Sequence, residues 1–120
     1  MSTNTYLAVF LGSKNSAAFK AWNALPESER QAKQKTGADA WRGWMQKHHA
    51  SVLEMGGPLG KTKAVSARGI EDTSNHMSAF ALVRAESHEA AAKLFEKHPH
   101  FAIFPGDAVE IMPVMPIPSV

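Results

Sequence analysis

The apolar positions change their period several times along the chain, and each change marks an element. Thr5 to Leu11 is an apolar, β-branched and aromatic run closed by Gly12 and Ser13, which predicts a strand covered on both faces. Phe19, Trp22 and Leu25 then recur at helical spacing from Ser16 onward, and Pro26 is the stop. Glu27 to Lys35 is polar all round, acidic first and basic last as a helix dipole favours. It is expected as an exposed excursion that Gly37 interrupts. From Asp39, a candidate N-cap, the residues Trp41, Trp44, Met45, His48, Val52 and Met55 trace one helical stripe. Gly56, Gly57 and Pro58 are expected to end that helix.

Lys61 to Ala67 reads as a second, weaker strand, Arg68 to His76 as a polar loop, and Met77 to Ala85 as a third strand. In that third strand Met77, Ala79, Ala81 and Val83 share one face, and Phe80 and Leu82 make the other apolar too. Ser87 caps a helix through Lys97 with an inner stripe of Ala91, Leu94 and Phe95, and His98–Pro99 stops it. Ala108 to Met112 is the last strand, with Val109 and Ile111 on one face, before Pro113, Pro116 and Pro118. The order predicts a single α+β domain over residues 1–120. Residues 1–38 hold the first strand and a helical excursion, and 113–120 form a proline-punctuated tail. Such an order suits a ferredoxin-like, four-stranded antiparallel sheet with its helices on one face. Strands one and three are apolar on both faces, so the helix-free face calls for a cover, and a second copy of the chain is the simplest. A homodimer through that face is expected.

Composition narrows the function classes. Hydrophobic residues make up 44% and charged residues 20% of the 120, ordinary globular usage that leaves no apolar run long enough for a membrane span. Met1 to Asn4 shows no basic, then apolar, leader, so a cytoplasmic protein is expected. With no cysteine, disulfides, thiolate zinc sites and thiol catalysis are excluded. Thirteen Lys and Arg against eleven Asp and Glu are dispersed along the chain, which argues against nucleic acid as a partner. Neither a cofactor nor a metal is called for: no three ligands fall at a recognised spacing, and His98-x-His100 would need His76, Asp107 or Glu110 to complete a site. Gly56 to Gly60 lacks the Lys-Ser/Thr ending of a phosphate loop.

The tracts AWRGWMQKHHASVLEMGGPLGKTKAVSARG, AFALVRAESHEAAAKLFEKHPHF and GDAVEIMP resemble the YCII-related, or DGPF-domain, family of small bacterial proteins, from about Asp39 onward. The resemblance implies a dimeric α/β barrel, two ferredoxin-like sheets stacked face to face, with a polar-lined pocket beside the sheet. It also implies an acid–base pair of a helix histidine, here His48 or His49, and an aspartate in an Asp-Pro-aromatic motif. That place reads His98–Pro99–His100–Phe101, so the aspartate is absent and the chain resembles a divergent member.

The candidate catalytic residues are therefore His48 and His98, and the candidate binding residues are His49, His100, Phe101, Trp44 and Asp107. His48 sits at the centre of the aromatic stripe, either as a general base or as a packed, satisfied ring. His49 falls at its edge. His98 and His100 are either an acid–base pair or part of a loop that merely ends a helix, and Asp107 either orients a loop histidine or closes a turn. Trp41 and Trp44 either wall a ligand pocket or fill the core. Two functions stay open: histidine acid–base catalysis on a small organic molecule, or a non-catalytic ligand-binding or interaction module. Whether the histidines converge on a concave, partly polar pocket separates them.

Overall fold

The structure is a computed structural model that describes residues 4–118; the reading of Met1 to Thr3, and Ser119 and Val120 at the end of the tail, lie outside them. Four strands form an antiparallel sheet: β1 (Thr5–Leu11), β2 (Val52–Pro58), β5 (Met77–Arg84) and β6 (Ala108–Pro113), in the order β2-β5-β1-β6. Helices α1 (Ala17–Ala24) and α2 (Glu27–Lys47) connect β1 to β2, and α3 (His88–Lys93) and α4 (Pro99–Ala102) connect β5 to β6. Strands β3 (Thr62–Ser66) and β4 (Gly69–Thr73) form a separate hairpin. With that hairpin set aside, the β-α-β-β-α-β order and strand order are ferredoxin-like.

Register explains which side chains make the core. Tyr6, Ala8 and Phe10 of β1 pair across from Val83, Ala81 and Ala79 of β5, and all six point to the helical face. There they meet Trp44 of α2, Ala91 of α3 and Phe95 just after it. The Trp44 indole N–H donates to the Leu94 carbonyl at 2.7 Å, tying α2 to the end of α3. On the opposite face lie Leu7, Val9, Phe80, Leu82 and Met112, paired with one another in register.

Several expectations are corrected. Gly37 does not interrupt anything: α2 runs unbroken for 21 residues through Gly37 and Asp39, so Asp39 is not an N-cap. Gly37 is buried because the Phe104 ring lies on it where a Cβ would stand. The same helix stops at Lys47 rather than Met55. His48, with φ −108°, caps it, and after the His49–Ser51 turn the Ser51 carbonyl accepts from Arg84 N–H at 2.6 Å, which delivers Val52 onward to the edge of β5. Val52 and Met55 therefore continue the apolar stripe by coincidence of spacing, as strand residues.

Gly56, Gly57 and Pro58 accordingly belong to β2, and its pairing with β5 is bulged on either side of Glu54. This strand, not the predicted Lys61 to Ala67, completes the main sheet. The latter region becomes β3, and the predicted Arg68–His76 loop contains β4, whose exposed polar residues conceal a strand behind ion pairs such as Lys63–Asp72 at 2.6 Å. The helix after Ser87 is also shorter than expected, ending at Lys93 before further turns reach Lys97 at φ 59°. Pro113 falls inside β6, tolerated because β6 is an edge strand. Among the described residues no helix is long and apolar enough to cross a membrane.

Gly56 and Gly57 make a paired test of this reassignment. Gly56 holds φ +63°, and a Cβ there would overlap the Phe80 backbone, whereas a Cβ at Gly57 would meet nothing within 4 Å. In urea denaturation Gly56→Ala is expected to cost about 2–4 kcal/mol, from left-handed strain plus overpacking. Gly57→Ala should stay within about 0.5 kcal/mol of the parent.

Candidate functional site

The chain leaves α3 through Lys97 and immediately starts α4, and that restart places both loop histidines. His98 takes extended backbone and caps α4: its Nδ1 accepts the His100 backbone N–H at 3.0 Å, and Pro99 occupies the first helical turn, where a missing N–H costs nothing. His98–Pro99 is thus a start as much as a stop. Both rings are buried, His98 completely and His100 at 8% exposure, so neither behaves as a loop-surface residue.

His98 is enclosed by aromatic rings. Ring centroids lie 4.5 Å away at Trp41, 4.8 Å at Trp44, 5.1 Å at Phe10 and 5.8 Å at Phe95. Because Nδ1 is an acceptor, the neutral ring carries its proton on Nε2, and that buried donor has no hydrogen-bond partner among the described residues. Burial, then the neighbouring His100 and His48, push the His98 pKa down to about 4.

His100 is held from three sides. Its Nε2 lies 2.7 Å from the Leu11 carbonyl, which only accepts, so Nε2 carries the proton and Nδ1 presents a lone pair. The same carbonyl accepts Asp107 N–H at 2.9 Å. Gly106 packs flat on the imidazole, where a Cβ would collide with Nε2, Cδ2 and Cε1, and Phe10 meets its edge at 5.3 Å. Burial lowers the His100 pKa, and the Leu11 bond and Asp107 oppose the shift in part. The ring is neutral at pH 7.

His100 lines a cavity of about 610 Å³ between α2 and the β2–β5 edge of the sheet. The walls include Phe10, Trp41, Trp44, Met45 and Phe104, and the strand side is built by Met55 to Pro58 and Ser78 to Ala81. The Ser78 hydroxyl is engaged by the Phe10 carbonyl at 3.0 Å. Among the described residues Arg42 is the one formally charged residue lining the cavity, ion-paired with Asp39 one helical turn earlier. The wall is apolar apart from these few groups.

The sequence candidates separate accordingly. His98, His100 and Trp44 come together, and Trp41 joins them both as core and as cavity wall. His98 stands behind that wall rather than on it. His48 packs against Trp44 at 5.0 Å, half-buried at the end of α2, its pKa lowered by burial and by Lys47. His49 is exposed and bonds only to the Gln46 carbonyl, and Phe101 points outward at 40% exposure. Asp107 is exposed and acts on His100 through its charge. No three His, Asp or Glu side chains converge as a metal site among the described residues. Phe10, Arg42, Ser78 and Phe104 were not singled out from the sequence; Phe104 alone carried a local signal, its place beside Pro105–Gly106.

The folded state holds His98 neutral, so its contribution to stability is complete above about pH 6.5 and is lost as pH falls toward 4. Urea denaturation at pH 7 and 4.5 should show the parent losing about 2–3 kcal/mol through this ring. His98→Asn keeps an acceptor for the α4 cap and cannot titrate. Its loss over the same interval is expected to be smaller by that amount, and equal losses would show that His98 is not the acid-sensitive group.

No family model matches the sequence. No curated protein matches it either. Among solved structures the chain is similar to 5-chloro-2-hydroxyhydroquinone dehydrochlorinase (TftG) from Burkholderia phenoliruptrix AC1100, determined in complex with 2,5-dihydroxybenzoquinone. The TM-score is 0.54 at 13% sequence identity, over 92% of this chain and 93% of that one. What the two proteins share is therefore the α+β fold across nearly their full lengths.

Proposed function

We propose that the chain binds a small planar organic molecule in the α2–sheet cavity and moves a proton on it through His100, as a divergent member of the YCII-related family. One observation carries this reading: a neutral imidazole of fixed tautomer lines an otherwise largely apolar, aromatic-walled cavity. Phe10, Trp41 and Trp44 offer ring surfaces to a flat ligand. Nδ1 of His100 accepts a hydrogen bond from a ligand hydroxyl and takes its proton when reaction at the ring draws electrons from that oxygen. His98 is a positioning residue, since it holds the His100 backbone and not the ligand. The fold's likeness to an enzyme solved with a small quinone agrees with a ligand of this size.

Hydroquinone, neutral and planar, is a suitable probe. Trp41 and His100 resonances are expected to shift saturably on NMR titration, and His100→Phe should weaken binding about five- to tenfold, the loss of one hydrogen bond. Affinity should hold above pH 6.5 and fall on acidification through the lowered His100 pKa, as Nδ1 becomes a donor. Trp41 signals unmoved at millimolar hydroquinone would sink this reading.

We also infer that the helix-free face closes against a second copy. Its centre is Leu7, Val9, Phe80 and Leu82, on the two inner strands, and its charges lie at the margins, Glu54 and Glu110 on the edge strands β2 and β6 and Arg84 at the exposed end of β5. An apolar centre with a polar rim is the pattern of protein interfaces. Sedimentation at micromolar concentration should give the dimer mass for the parent and a folded monomer for Leu82→Asp; a monomeric parent would refute the pairing.

A further inference from the structure

The cavity's polar groups are few enough to specify a class of ligand. His100 offers an acceptor at Nδ1 and lies beside Phe10 and Trp41. Ser78 is engaged by the Phe10 carbonyl. Arg42 shares a stripe of α2 with Ala38 and Met45, four residues before and three after, and all three line the cavity. Its side chain is 69% exposed. It is therefore a solvated group at the cavity's mouth, not a charge buried in its wall.

Asp39 is Arg42's partner, and the pair is weak in the sense that matters. Its side chain is 56% exposed and lies three residues away on the same helix, and such surface pairs contribute little to stability. A ligand anion arriving from the cavity side replaces Asp39 at little cost, and it meets Arg42 beside apolar walls that exclude water better than the open helix surface does. Among the described residues no acidic side chain lines the cavity to repel it.

Resting on the reading of His100 above, we infer that the ligand is an aromatic hydroxy acid: its ring lies among Phe10, Trp41 and Trp44, its hydroxyl donates to His100 Nδ1, and its anionic group exchanges with Asp39 for Arg42. Arg42 is then the residue that selects acids over their neutral counterparts, and Asp39 is an internal competitor for the same guanidinium. Two consequences follow that a merely structural Arg42 would not produce. Removing Arg42 weakens the acid and spares the neutral analogue. Removing the Asp39 charge strengthens the acid.

Two nearly isosteric probes, 4-hydroxybenzoate and 4-hydroxybenzamide, read this out by calorimetric titration at pH 7.5 and low salt, where such charge contacts are least screened. The parent is expected to bind the acid about tenfold more tightly than the amide, as for a charge-assisted contact at a partly dry site. Arg42→Met, which keeps an apolar stem on an exposed helix position, should remove that preference and leave amide affinity within about twofold. Asp39→Asn should raise acid affinity about two- to fivefold, the release of a weak surface pair. Equal binding of the two probes by the parent, or a parallel loss of both in Arg42→Met, overturns the Arg42 assignment and leaves the cavity reading intact. Failure of both probes to bind the parent overturns the cavity reading and this inference together.

Discussion

Phe10 is the ring around which the helical layer is assembled. It projects from β1 into contact with Trp41 of α2, Phe95 after α3, and His98 and His100 at α4, at centroid separations of 5.1–6.0 Å. One strand residue thus fixes three helical segments relative to the sheet. The same contact sets the electrostatics. Enclosed by aromatic rings, an imidazole loses water, and burial pushes both loop histidines toward their neutral forms, with the exposed Asp107 opposing the shift only at His100. The tautomers are then fixed by main-chain atoms: a backbone N–H selects Nδ1 of His98 as acceptor, and a backbone carbonyl selects Nε2 of His100 as donor. A triad aspartate does this work elsewhere; here the peptide groups at the end of β1 and the start of α4 do it.

Much of the fold was legible because its strongest signals are local. Thr5–Leu11 and the strand beginning at Met77 declare themselves by β-branched and aromatic content, and Ser16 and Ser87 cap helices with the bonds their positions promise, 3.0 Å each. The failures at the glycines share one cause. Gly37, Gly56 and Gly57 read as punctuation, yet Gly37 makes room for a ring 67 residues downstream and Gly56 for the backbone of β5. A glycine's local permissiveness is visible in sequence, and the distant group that needs the space is not. The exchange of β2 for β3 in the main sheet followed from the same misreading, since ending the helix at Gly56 left no residues for the true second strand.

The site was legible by residue type more than by arrangement. His98 and His100 stood out by type and spacing. Their division of labour depends on the short α4 helix, which four residues beginning with proline scarcely announce. Arg42 left no trace at all. On a stripe diagram it falls between Trp41 and Trp44 as one more solvated charge, and only the approach of β2 to α2 turns that flank into the mouth of a cavity.

The β3–β4 hairpin has a consequence of a different kind. Its substantial contacts are internal, Val65 and Ile70 are exposed on one of its faces, and the radius of gyration of 16.5 Å exceeds the roughly 13–14 Å of a compact chain this long. A two-stranded ribbon alone in water is marginal, so this arm is expected to open at a lower free energy than the four-stranded sheet. Its length and sequence are thereby released from the constraints of the core. Substitutions and insertions there alter what the arm touches without altering Phe10's layer, which makes it the segment where sequence change costs folding least.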